Sequence, residues 1–132
     1  METHRALNSL QKAAALKQRT KVFAIRIVKL FRSLPHSSDA QTLGKQILLS
    51  GTSVAANYRA VCRARSKAEF IAKMGVVLEE ADETVFWLEL LTETGVLSEE
   101  RTKDLLKEAN ELSAVFGASL RTSKGSYDSM IH

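Results

Sequence analysis

Arg59, Arg63, Arg65 and Lys67 are the side chains in this sequence best spaced to do chemistry, and the chemistry is anion binding. Arg59 and Arg63 are one helical turn apart, so their guanidinium groups can project from the same face. Arg65 and Lys67 follow at a break in the helical pattern, where a helix starting at Ser66 would expose backbone amides that favour phosphate. If the cluster repeats around an oligomer, salt dependence becomes steep, because each neutralised phosphate adds about 0.9 to the log-log slope on a duplex. The same arginines have a structural use open to them, as ion pairs with Glu69, Glu80 or Glu83 of the same or a neighbouring subunit. Tyr58, beside Arg59, can stack on a base or pack in an interface.

The net charge of +4 conceals a division. Residues 1–73 carry 14 Lys/Arg against 3 Asp/Glu, and residues 74–132 carry 5 against 12. The two parts attract each other within one chain or between subunits, or else the basic part faces an anionic partner such as DNA or RNA. A second basic strip of Arg19, Arg26, Lys29 and Arg32 reads as a solvated face.

Other chemistries find no foothold. Glu79, Glu80, Asp82, Glu83 and Glu89 suggest a carboxylate-bridged metal pair, but such sites use Glu-x-x-His, and neither His4, His36 nor His132 follows a glutamate at that spacing. Glu79 and Glu83 share a helix face and are expected to pair with the basic helices instead. Cys62 is the single cysteine, so no intrachain disulfide forms; it reads as a small packed group in a reducing compartment. It lacks a helical histidine partner, and glycine-rich phosphate loops are absent. No enzyme, cofactor or metal is therefore expected. No stretch approaches the ~20 apolar residues of a membrane span, and no signal-peptide pattern opens the chain, so a cytoplasmic protein away from membranes is expected.

The elements that must position the cluster are helices. At 132 residues the chain is read as one domain, with an N-terminal arm at 1–14 that is frayed or a helical extension, a bundle at 15–124 and a disordered tail at 125–132. Leu16, Thr20, Phe23, Ile27, Leu30 and Leu34 alternate spacings of four and three on one side of a first helix, which Pro35 ends. Val22, Ile25 and Val28 widen that stripe. Ser38-Asp39-Ala40-Gln41 has capping-box form and starts a second helix, with Leu43, Ile47, Ser50, Val54, Asn57 and Val61 inward. Gly44 and Gly51, among serines, threonines and alanines, make it weak by propensity and thin enough for a close neighbour.

Ser66-Lys67-Ala68-Glu69 caps a third helix, inward at Phe70, Met74, Val77, Ala81, Thr84, Leu88 and Leu91. Ile71, Leu78, Val85 and Phe86 add a second apolar edge, which suits contact with another subunit, and Trp87 belongs to the core or such a contact. Gly95 fits the left-handed position past the helix end, and Ser98 caps a fourth helix with Leu105, Ala109, Leu112 and Phe116 inward. Leu106 and Val115 join them. The result is all-α, an antiparallel up-down four-helix bundle. Gly51, Asn57, Ser66, Glu69, Phe70, Glu80, Glu83 and Trp87 are assigned to structure or assembly. Asn57 is the specificity device, an inward amide that must find partners and can fix an oligomer state.

One stretch carries a resemblance. Ser53-Val54-x-Ala56-Asn57, followed by Arg65-Ser66-x-x-Glu69-Phe70 and then VVLEEADETVFWLELL and GVLSEE, resembles the four-helix bundle family first noticed in proteins encoded by intervening sequences of bacterial 23S ribosomal RNA genes. The likeness runs from about Lys17 to Lys124. Many members read Ser-Ile-Pro-Ala-Asn there; this chain has Ala55 in the proline position and is similar to a subgroup with Asn57-Tyr58-Arg59-Ala60. The resemblance implies a homopentameric ring with a central pore, without enzymatic activity. It also implies a possible accessory role, since a related protein serves the reverse transcriptase of diversity-generating retroelements. Two functions follow as expectations: nucleic-acid binding through the repeated basic cluster, or an interaction scaffold for another protein with no nucleic-acid binding.

Overall fold

Proline disfavours helical geometry in the residue before it, and the first helix stops just short of Pro35. In this computed structural model, which describes residues 2–131 and side chains from residue 8 to 131, α1 spans Glu2–Arg32. After it come α2 (Ser38–Cys62), α3 (Lys67–Glu93) and α4 (Glu99–Ile131), with no strand among the described residues. No helix of the described residues is long and apolar enough to cross a membrane.

The helix starts follow the serines, with one correction. The N-cap of α2 is Ser37 rather than part of a Ser38–Gln41 box, and its side chain makes no capping bond. Gln41 Nε2 donates instead to the Pro35 carbonyl at 2.9 Å, and Asp39 accepts from the Ala40 amide at 2.9 Å. At α3, Ser66 Oγ accepts from the Glu69 amide at 3.0 Å. The Glu69 carboxylate does not return the bond; it lies 3.1 Å from Lys73 Nζ and 3.8 Å from Arg65 Nε. Ser98 Oγ accepts from the Arg101 amide at 3.3 Å ahead of α4, and Gly95 takes φ +80° after α3.

Helix α2 packs between α1 and α3, and α3 between α2 and α4, whereas α1 and α4 approach closely at few positions. Every inward residue named for α3 except half-buried Phe70 is buried, and Phe23, Ile27, Ile47, Val54, Leu112 and Phe116 complete the core from the other helices. Two hydroxyl pairs cross between helices inside it: Thr84 Oγ1 donates to Ser50 Oγ at 3.0 Å, and the hydroxyls of Thr92 and Thr102 lie 2.9 Å apart.

The thin side of α2 is used within the chain. A Cβ on Gly51 would lie 2.7 Å from Ile27 Cγ1, and one on Gly44 would collide with Leu34 and sit 3.0 Å from Phe31 Cδ1. Both glycines thus let α1 settle onto α2.

Three expectations are corrected. Residues 125–131, expected to be disordered, continue α4, because Leu120 and Ser123 are buried and extending an anchored helix costs far less than nucleating one. Asn57, expected to be buried on the inward seam, is half-buried, and its amide donates to the Ser53 carbonyl at 2.9 Å. Of the second edge of α3, Ile71, Leu78 and Val85 are packed against the core and Phe86 alone is exposed. Within residues 1–14, α1 begins at Glu2, and Met1 and His132 lie outside the described residues.

Candidate nucleic-acid interface

Helix α2 ends by exposing its basic residues in succession. Arg59 lies in its last turn and Arg63 is its C-cap; Arg65 and Lys67 follow where α3 begins, and all four are exposed. Among the described residues, Arg59, Arg63 and Lys67 form no ion pair. Arg65, with 89% of its side chain exposed, touches only Glu69 at 3.8 Å, a contact that solvent screens heavily. The structural pairing of Arg59 or Arg63 with Glu69, Glu80 or Glu83 is therefore not made within the chain.

Tyr58 does not join this surface. It is 5% exposed, with its ring centroid 5.9 Å from that of Phe116, so it cannot serve as a stacking platform for a base. Burial, and then the adjacent Cys62 thiol, raise its pKa well above the ordinary phenol value. Cys62, expected to be packed, is exposed instead. Beneath the cluster, Tyr58, Cys62, Ser66, Lys67 and half-buried Phe70 line a cavity of about 380 Å³ that reaches Ser123 of α4.

Of the acidic residues of α3, Glu69 pairs with Lys73 in the first turns, whereas those in the middle of the helix are left without a cation. Glu79, Glu80 and Glu83 form no ion pair among the described residues. Burial, followed by the charges of Glu83 and Glu79, pushes the Glu80 carboxyl above its ordinary range. On the same helix, Phe86 and Trp87 meet edge to face with centroids 4.9 Å apart, and the buried Trp87 Nε1 has no hydrogen-bond partner among the described residues. No group of three or more His, Cys, Asp or Glu among the described residues is placed to hold a metal ion; His36 lies in the α1–α2 turn, and the side chains of His4 and His132 lie outside the described residues.

The complementarity between the two parts of the chain is expressed at the α1–α4 seam. Arg19 donates from Nε and Nη2 to the two oxygens of Glu108 at 2.9 and 2.5 Å, and from Nη2 to Glu111 at 3.0 Å. This corrects the reading of Arg19 as solvated. Arg101 Nη2 reaches Ser33 Oγ at 2.7 Å across the same seam.

Lys17 and Lys21 went unnoticed as site residues. They lie one turn apart on α1 and face Arg59 across the α1–α2 groove. The signal that could have found them is their four-residue spacing beside an alanine run, opposite the alanines of α2.

No curated protein sequence matches this chain. A solved structure from Bacteroides thetaiotaomicron, described as a protein of unknown function from the S23 ribosomal protein family and determined at 1.70 Å, shares 36% identity with a TM-score of 0.74. The alignment covers 79% of this chain and 96% of that one. The family model described as 23S rRNA-intervening sequence protein matches residues 12–118, most of the four helices. On that match, the chain belongs to the 23S rRNA-intervening sequence protein family.

Proposed function

We propose that this is a non-enzymatic, cytoplasmic helical-bundle protein that assembles as a homo-oligomer, with the pentameric ring implied by its resemblance, and binds DNA or RNA through the basic cluster repeated on each subunit. The carrying observation is that Arg59, Arg63 and Lys67 are exposed and free of ion pairs among the described residues. Cations left in this state attract phosphate and release its counterions, a term that supplies most sequence-independent affinity. In an accessory role, the protein would present nucleic acid to a polymerase such as a reverse transcriptase.

Titration with DNA and RNA at several salt concentrations tests the reading. Affinity should fall linearly on log-log axes, and Arg63→Glu with Arg65→Glu should weaken binding at least about tenfold, in line with the loss of two phosphate contacts. Absence of binding in low salt, or an unchanged affinity in the double variant, rejects it.

A second reading has its own support. Leu49 of α2 is 64% exposed and Phe86 of α3 is 54% exposed, and Phe86 packs edge to face on Trp87. Exposed apolar side chains of this size suit a protein partner or a second copy of the chain. As a scaffold alone, the protein would bind no nucleic acid at any salt concentration.

A further inference from the structure

The groove between α1 and α2 encloses about 440 Å³, and its rim carries Lys17, Lys21 and Arg59 over a floor of Ala14, Ala55 and Ala56. None of its lining residues is acidic, and none of the three cations forms an ion pair among the described residues. By contrast, Arg19, on the other flank of α1, is consumed by Glu108 and Glu111. Lys17 and Lys21 are separated by one helical turn, about 6 Å along the axis, close to the spacing of neighbouring phosphates on an extended strand. Arg59 closes the groove from the opposite side, and Arg63 continues it one turn further along α2.

We infer that this groove is a track for the phosphodiester backbone of a single nucleic-acid strand, held by Lys17, Lys21 and Arg59 and continued by Arg63, and read without base stacking. The inference rests on the nucleic-acid reading and names the surface that performs it. Three features select this occupant. The cations outnumber any neutralising group, which suits a polyanion. The floor is made of methyl groups, with no aromatic ring on which a base could stack, and the nearby tyrosine is buried. A protein partner would need an apolar centre depleted of lysine, and no large apolar side chain lines this groove.

The test compares the full-length parent protein, Lys17→Ala with Lys21→Ala, and Arg63→Glu with Arg65→Glu, each titrated with single-stranded DNA and with an abasic strand of equal length. Lys17 and Lys21 are exposed, so helicity by circular dichroism should be unchanged in the lysine variant. The expected result is that the lysine variant loses about 0.7 from the log-log salt slope for each phosphate contact removed, and that the abasic strand binds the parent with the same slope as DNA. A lysine variant with the parental slope and affinity, alongside a weakened arginine variant, overturns the groove but leaves nucleic-acid binding standing. An abasic strand that binds at least tenfold more weakly overturns the backbone-only mode. Failure of the parent to bind either strand removes both the inference and the reading beneath it. Dissociation of the oligomer by the lysine variant with unchanged strand binding assigns the groove to a second copy and overturns the inference.

Discussion

At the scale of single residues, Arg19 decides how α1 meets α4, because those two helices touch closely at few other places. Its fork donates to both oxygens of Glu108, a geometry that restricts orientation as well as adding attraction. The hydrogen bond from Arg19 holds the Glu108 carboxyl below its ordinary value of 4.5. A carboxyl with a depressed folded-state pKa contributes its stability above the unfolded value and loses it as pH falls through the folded one. Arg19→Ala should therefore cost about 1 kcal/mol in urea unfolding at neutral pH, a value discounted for a partly exposed pair. The difference from the parent should narrow below about pH 4.5, and a difference that stays constant from neutral pH to well below that value would remove the ion pair as its cause. Such pairing was hidden in the sequence, since Arg19 and Glu108 are 89 positions apart and only the bundle brings them together. Tyr58 and Asn57 show the same limit. They are adjacent in the chain, and one turns into the core against Phe116 while the other turns out to its own backbone.

At the scale of elements, the rhythm of four and three identified nearly the whole core, because helical burial follows the 3.6-residue period whatever the partner helix is. What the rhythm could not supply was the partner. The thinness of α2 was evident from Gly44 and Gly51, but the close approach it permits within the chain is to Ile27 and Phe31 of α1 and to Leu34 just after it. That assignment makes two glycine variants behave oppositely. Gly51→Ala gains about 1 kcal/mol of helix propensity but drives a methyl group into a branched, fully buried Ile27, and overpacking of that kind costs about 1–3 kcal/mol. Gly75→Ala meets nothing within 4 Å and keeps the propensity gain. In thermal unfolding the first should melt below the parent and the second above it. Equal shifts of the same sign would show that backbone propensity, not the α1–α2 contact, controls both positions.

At the scale of the whole molecule, the chain presents two unlike surfaces. One is the basic side of α1 and α2, with Lys17, Lys21, Arg59 and Arg63; the other carries exposed Leu49 of α2 and, on α3, exposed Phe86 with Glu79, Glu80 and Glu83, which form no ion pair among the described residues. We propose that subunits associate through the second surface, which would bury apolar side chains and leave the first surface free. That contact would also place Trp87, whose buried indole N–H lacks a partner among the described residues, where a neighbouring subunit can offer an acceptor. Leu49→Glu with Phe86→Glu adds two charges at an apolar contact that must lose its water, which is strongly unfavourable without partners. Sedimentation at micromolar concentration should then show smaller species with undiminished helicity, since both side chains are exposed in the single chain. If nucleic-acid affinity depends on several grooves acting on one strand, the same variant should weaken binding far more than its two added charges explain, because linked sites raise avidity through effective concentration. A variant that remains the parental size moves the interface elsewhere. One that dissociates yet binds with parental affinity makes each subunit a complete binding unit.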